Sequence, residues 1–202
     1  MQRLQQLLSL FKHEKTHSVL TTLAILIGGI SLAAFLDSKW IAIILVILTI
    51  VFAGSYAILA RKGKLISYST VHQIAVFFFM WSLGSVLFGL RSLQIVSLPF
   101  IVVLGALLAY AGAYIWRFRT DDTGRAISYL HALTNLEWFA ILLFAPGSFM
   151  VLGALYAIAF GVTALLFDLH DQSEIHYRDF VHPILIGLAI AFIFILGFTW
   201  SL

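Results

Sequence analysis

The sequence predicts an all-α fold, a polytopic transmembrane helical bundle, and three observations support that prediction. The chain of 202 residues is 62% hydrophobic and only 10% charged, which is far from the composition of soluble proteins. Seven apolar segments each approach the roughly 20 residues that a spanning helix needs. Lipid offers the backbone no hydrogen-bond partner, so segments rich in β-branched residues are also predicted to be helical.

The elements follow in order along the chain. Residues 1–16 carry apolar side chains at helical spacing, which predicts a cytoplasmic amphipathic segment that lies on the inner membrane surface or packs on the bundle. Residues 17–202 are predicted to form the transmembrane bundle. Its seven spans are expected at residues 18–36, 41–60, 72–90, 98–116, 126–146, 148–167 and 181–201.

Lysine and arginine fix the expected orientation. Ten of the 12 basic residues fall in the N-terminal segment or in the loops after the second, fourth and sixth spans, and only Lys39 and Arg91 fall on the other side. Because cytoplasmic loops carry the excess of Lys and Arg, we predict a cytoplasmic N-terminus and an external C-terminus. Trp40, Trp116 and Trp200 fall at span ends, where interfacial tryptophans are typical.

The first six spans are predicted to form three repeated helical hairpins, followed by one added helix. The second helices of the hairpins end in AGSYAILAR, AGAYIWRFR and FGVTALLFD, and the first helices share LIGG, SLGS and NLEW. In this alignment Glu137 stands where the first two hairpins have Gly28 and Gly84. Small residues also recur on the even helices, including Gly153 and Gly161, and predict close helix packing.

This hairpin pattern resembles the HdeD family of small bacterial acid-resistance membrane proteins. The resemblance covers residues 17–168 and rests on AGSY, AGAY and the acid in the fifth span. It implies an inner-membrane protein linked to acid stress response, with no established reaction and no catalytic residues. The family has six helices, so residues 181–201 are additional to its pattern.

Glu137 is the only acid deep inside an apolar segment, which makes it a functional candidate. Ser82 and Tyr156 are expected at a similar depth, where their hydroxyl groups could form hydrogen bonds with Glu137. Desolvation without a cation disfavours a charged carboxylate, so we predict a neutral, hydrogen-bonding form. Three roles stay open: a strut between helices, a proton relay or pH sensor, and contact with a ligand.

His131 and Asn135 lie one turn apart on the same predicted helix as Glu137. A polar path from His131 at the inner surface to Glu137 would form a half-channel open to the cytoplasm. No continuation is expected in the outer half of this helix, because residues 139–144 are apolar.

The other histidines suggest a weaker metal site at the cytoplasmic face. His170, His176 and His182 lie among acidic residues. Residues 13–17 match the pattern H-E-x-x-H, which places the two imidazoles of His13 and His17 on one helix face, where they can bind zinc. The first group lacks a fixed ligand spacing, and no second motif marks a third ligand for the H-E-x-x-H group.

These observations predict a non-enzymatic integral membrane protein of the stress-response, accessory or complex-stabilising type. The alternatives are a proton-linked small transporter that uses Glu137 and a membrane metalloenzyme with a histidine site at the inner face. No cofactor is expected, and the chain has no cysteine for thiolate chemistry. The expected partners are lipids and other membrane subunits or further copies of the chain, and no basic tract points to nucleic acid.

Overall fold

The computed structural model describes residues 2–61, 70–116 and 122–170, and these residues form six α-helices without a strand. The helices are α1 Gln2–Ala34, α2 Lys39–Arg61, α3 Thr70–Ser92, α4 Leu98–Trp116, α5 Asp122–Leu143 and α6 Phe149–His170. The all-α prediction is confirmed. Five of the helices, α2 to α6, are long and apolar enough to cross a membrane. The seventh predicted span, 181–201, lies outside the described residues.

Helix α1 joins the N-terminal segment and the first apolar segment in one element. It runs for 33 residues without interruption, which corresponds to about 50 Å at 1.5 Å per residue. Its apolar part, Ser18–Ala34, is shorter than the other candidate spans. The predicted amphipathic segment therefore continues directly into the first apolar helix, with no backbone break near residue 16.

A serine precedes α2, α4 and α6. The carbonyl groups of Ser38, Ser97 and Ser148 accept the first helical hydrogen bonds, at distances of 2.9–3.1 Å. Serine is preferred at this position because its side-chain oxygen can also accept a hydrogen bond from an unpaired backbone amide of the first turn. The Val151 amide donates in this way to Ser148 Oγ, at 3.4 Å. Each hairpin turn therefore carries its own helix-start signal.

Helix α3 is the centre of the bundle. It packs most extensively against α6 and also contacts α1 and α4, while α5 contacts both α4 and α6. Helix α2 packs against α1, so that only 17% of its span is buried, compared with 61% for α3. The core between α3, α4, α5 and α6 is formed by large apolar side chains, among them Met80, Ile101, Phe139, Tyr156 and Phe160.

Glycines bring α3 and α6 close together. A Cβ atom added to Gly153 would lie 2.8 Å from Ser85 Cα, and one added to Gly84 would lie 3.5 Å from Gly153 Cα. Gly161, which the sequence places on the same face, has no neighbouring atom within 4 Å of such a Cβ atom among the described residues. Eight residues turn a helix by about 80° beyond two full turns, so Gly161 has rotated away from α3.

The three hairpins share their connectivity, but corresponding residues have different surroundings. Gly28 faces α3, where its Cβ atom would lie 3.2 Å from Ser82 Cβ, and Gly84 faces Tyr156 of α6. Glu137, the corresponding residue of the third hairpin, is exposed. The internal repeat of three hairpins therefore stays a prediction from the sequence.

Candidate functional site

The polar residues in the middle of α5 lie on two opposite sides of the helix. His131 and Asn135 are fully buried, whereas Glu137 is exposed. Two residues correspond to about 200° of rotation, so Asn135 and Glu137 point in nearly opposite directions. The structure thus separates the two ends of the predicted path from His131 to Glu137.

His131 and Asn135 connect α5 to α6. His131 Nε2 lies 3.3 Å from the Phe160 carbonyl oxygen, and the two rings are 4.6 Å apart. Because a carbonyl can only accept, Nε2 carries the proton. Asn135 Nδ2 donates to the His131 carbonyl at 2.7 Å, and Thr163 Oγ1 lies 3.5 Å from Asn135 Oδ1. These contacts account for both buried polar residues as parts of a helix joint.

A second histidine joint connects α2, α3 and α4, and the sequence did not reveal it. His72 Nε2 lies 2.9 Å from the Ile115 carbonyl oxygen, and His72 Nδ1 lies 2.9 Å from Tyr56 Oη. The carbonyl requires a proton on Nε2, so in the neutral ring Nδ1 accepts from the tyrosine hydroxyl. His72 and His131 are both buried within the bundle, although the sequence predicts His131 at the inner surface.

Ser82 and Tyr156 are buried inside the bundle and do not contact Glu137. Both side chains are 0% exposed, and neither hydroxyl has a hydrogen-bond partner among the described residues. Tyr156 packs on Phe88 and Phe139, with ring centres 6.3 and 5.5 Å away. No hydrogen bond joins Glu137 to either residue, because Glu137 lies on the outer side of α5.

Glu137 lies about two thirds of the way along its span, with exposed apolar side chains on either side of it. The span Arg125–Leu143 places it 12 residues, or about 18 Å, from one end and 6 residues, or about 9 Å, from the other. Leu133 and Ile141, one turn away on either side, are 56% and 61% exposed. Within the described part of the chain Glu137 takes part in no hydrogen bond or ion pair. The carboxyl group is therefore exposed within a helix that is long and apolar enough to cross a membrane.

The candidate metal ligands fall outside the residues whose side chains are described. His13 and His17 lie on the first half of α1, His170 ends α6, and His176 and His182 follow it. Among the described residues no three or more His, Cys, Asp or Glu side chains form a group that could hold a metal ion. The predicted metal site therefore stays a prediction.

Aromatic side chains mark the end of the bundle where α4 ends and α5 begins. Tyr110 stacks on Tyr114 and Tyr129, with ring centres 6.4 and 5.9 Å away. Trp116 was expected as an interfacial residue, but it is only 5% exposed and donates to Asp168 at 2.8 Å. The three tyrosines are exposed and form an aromatic cluster on the outer side of α4 and α5.

The fold is that of a helical membrane protein with a packed core, and the described residues place an acidic side chain, Glu137, on the outer side of α5. No family model, curated protein or solved structure matches the chain. The resemblance to the HdeD family thus stays a prediction from the sequence.

Proposed function

We propose that the protein is a non-enzymatic integral membrane protein of the accessory or complex-stabilising type, which associates with another transmembrane chain through the Glu137 side of α5. In this role the packed core of α3 to α6 is a rigid support. The outer side of α5 is the contact surface, and Glu137 is the polar residue that makes the contact specific.

The exposure of Glu137 is the observation that supports this proposal. An acidic side chain at the centre of a spanning helix costs about 2.5–3.5 kcal/mol on insertion scales. Polar residues inside membranes almost always face a bundle interior or a water-filled cavity, where they find partners. Glu137 faces away from the described bundle. A partner on that side could form a hydrogen bond with the carboxyl group, which lipid tails cannot do, and would so reduce this energetic cost.

A proton-linked carrier would need polar groups that lead to Glu137. The buried polar side chains of α5, His131 and Asn135, are on the opposite side of the helix and are engaged with α6. The metalloenzyme alternative depends on histidines outside the described side chains. No specific observation therefore favours either alternative over assembly.

The location and the physiological setting belong to the same proposal. Of the 12 basic residues, seven fall between positions 61 and 64, between 117 and 125, or at 178, and three more precede the first apolar segment, which supports a cytoplasmic position for that face and for the N-terminus. We place the chain in a bacterial inner membrane. The setting of acid stress comes from the sequence resemblance alone.

The mass of the native particle tests the assembly role. The protein should be extracted from its own membrane in polymer nanodiscs, without detergent, and its particle mass compared with the 22.5 kDa of one chain. We expect the wild type to form a particle that contains more than one chain. Glu137→Leu should reduce the assembled fraction, because leucine cannot form hydrogen bonds.

Glu137→Gln is the matched control. Glutamine keeps a donor, an acceptor and the side-chain shape, so assembly should largely survive. A wild-type particle with the mass of a single chain would contradict the proposal, and so would full assembly of Glu137→Leu.

A further inference from the structure

The exposed side of α5 has a regular spacing of its own. We name as the α5 stripe the positions that alternate four and three residues apart: Ala126, Leu130, Leu133, Glu137, Ala140 and Phe144. Leu130, Leu133 and Phe144 are 54%, 56% and 70% exposed, and Ala140 is half-buried. Every member except Glu137 is apolar.

Such spacing is typical of the contact line between two helices that wind around each other. Side chains that alternate three and four residues apart stay at the contact line of a left-handed pair. A single polar residue within such a seam selects register and the number of chains, at some expense of stability. Glu137 is at such a position, two stripe positions from Phe144 at one end and three from Ala126 at the other.

The chain itself limits what can meet Glu137 at its depth. Basic residues in the five described spans occur only near span ends: Lys39, Arg91 and Arg125. A head-to-tail contact between copies would therefore bring no cation to Glu137. Residues 184–198, which contain no polar side chain, offer no hydrogen-bond partner either.

A second copy brings a partner by symmetry. All copies have the same orientation in one membrane, so a two-fold axis along the membrane normal places both Glu137 side chains at the same depth. A protonated carboxyl group has both a donor and an acceptor. Two such groups can therefore form reciprocal hydrogen bonds across the axis and leave no polar atom in lipid.

We propose that the partner is a second copy of this chain, and that two copies pair in parallel along the α5 stripe with their Glu137 carboxyl groups hydrogen-bonded to each other. This inference rests on the proposed assembly role and names its partner.

Photo-crosslinking from Leu133 tests the partner directly. Leu133 should be replaced by the photoreactive amino acid p-benzoylphenylalanine in a tagged chain that is expressed in its native membrane. Leu133 is exposed, and its replacement leaves Glu137 unchanged. The same replacement at Val51 of α2, which is 60% exposed, is the matched control. We expect an adduct with twice the mass of the chain from position 133 and lipid adducts alone from position 51.

The possible adducts separate this inference from the proposed function. A 133 adduct with a different protein would overturn the second copy as partner but keep the assembly role. Lipid adducts alone from position 133 would overturn both.

Two further variants examine Glu137 and the fold. Glu137→Leu in the same background should lower the self-adduct yield about eightfold, which corresponds to two membrane hydrogen bonds of about 0.6 kcal/mol each. An unchanged yield would overturn the carboxyl pair. Leu133→Cys in this cysteine-free chain provides a second measurement, since it should form an intermolecular disulfide under mild oxidation, whereas Val51→Cys should not.

Discussion

At the scale of single residues, the two histidine joints show how buried polar groups hold apolar helices in register. His72 is 2% exposed and uses both ring nitrogens, one toward α2 and one toward α4. His131 connects α5 to the carbonyl of Phe160. Lipid is as apolar as a leucine side chain, so helices in a membrane gain specificity from packing and from such hydrogen bonds.

The Tyr56–His72 hydrogen bond gives a test with a control built into the sequence. Tyr56→Phe removes the hydroxyl that donates to His72 and that also bonds Thr21, and at about 0.6 kcal/mol for each bond we expect a loss of about 1 kcal/mol in unfolding free energy. Tyr114→Phe changes the corresponding residue of AGAY, which is 44% exposed, and should have no effect. Thermal unfolding of both variants in the same detergent measures the change in stability that each substitution causes. Equal losses of stability would contradict the role of the joint.

At the scale of helices, the contact between α3 and α6 depends on the absence of side chains at Gly84 and Gly153. Backbones that approach this closely gain van der Waals contacts along the whole seam, which is a main source of helix association in lipid. Gly161 does not share that contact, although it continues the same spacing in the sequence.

Two alanine substitutions distinguish these glycines. Gly153→Ala should destabilise the bundle by about 1–3 kcal/mol, because the added methyl group would overlap Ser85. Gly161→Ala meets open space among the described residues and should leave stability unchanged or raise it by up to about 1 kcal/mol, the helix preference of alanine over glycine. Chemical unfolding in mixed micelles measures both, and a loss at Gly161 equal to that at Gly153 would show that a neighbour also covers Gly161.

At the scale of the whole molecule, the sequence could predict that helices form and where they end, but not which sides of them are buried. The predicted span 98–116 coincides with α4, and the span 72–90 falls within α3. Length, apolar composition and the serines before the even helices determine these limits. In a soluble protein, a polar side of each helix would also indicate the outward direction. In lipid the outer surface is apolar as well, so this signal is lost.

That loss accounts for the particular errors. Tyr56 and Tyr114 have similar local sequences, yet one is buried and the other exposed. Ser82 and Tyr156 are buried inside the bundle, whereas Glu137 is exposed on the outer side of α5. The direction in which it points depends on long-range packing of α5 against α4 and α6, and no local pattern encodes this.

Membrane orientation can be tested in the intact cell. The chain has no native cysteine, so a single cysteine at Ser148 or at Gly63 reports on one loop at a time. From the distribution of basic residues we predict that an impermeant maleimide labels Ser148→Cys from outside and labels Gly63→Cys only after lysis. Labelling of Gly63→Cys in intact cells would reverse the proposed orientation.

Oxygen accessibility of spin labels is the most direct test that another chain covers the Glu137 side of α5. Nitroxide labels should be attached to Leu133→Cys and, as the lipid-facing control, to Val51→Cys, which are 56% and 60% exposed as native side chains within one chain. Relaxation by dissolved oxygen should then be measured in liposomes of native lipid. We predict low oxygen accessibility at position 133 and high accessibility at position 51. Equally high accessibility at both positions would mean that Glu137 faces lipid, and would contradict the assembly role.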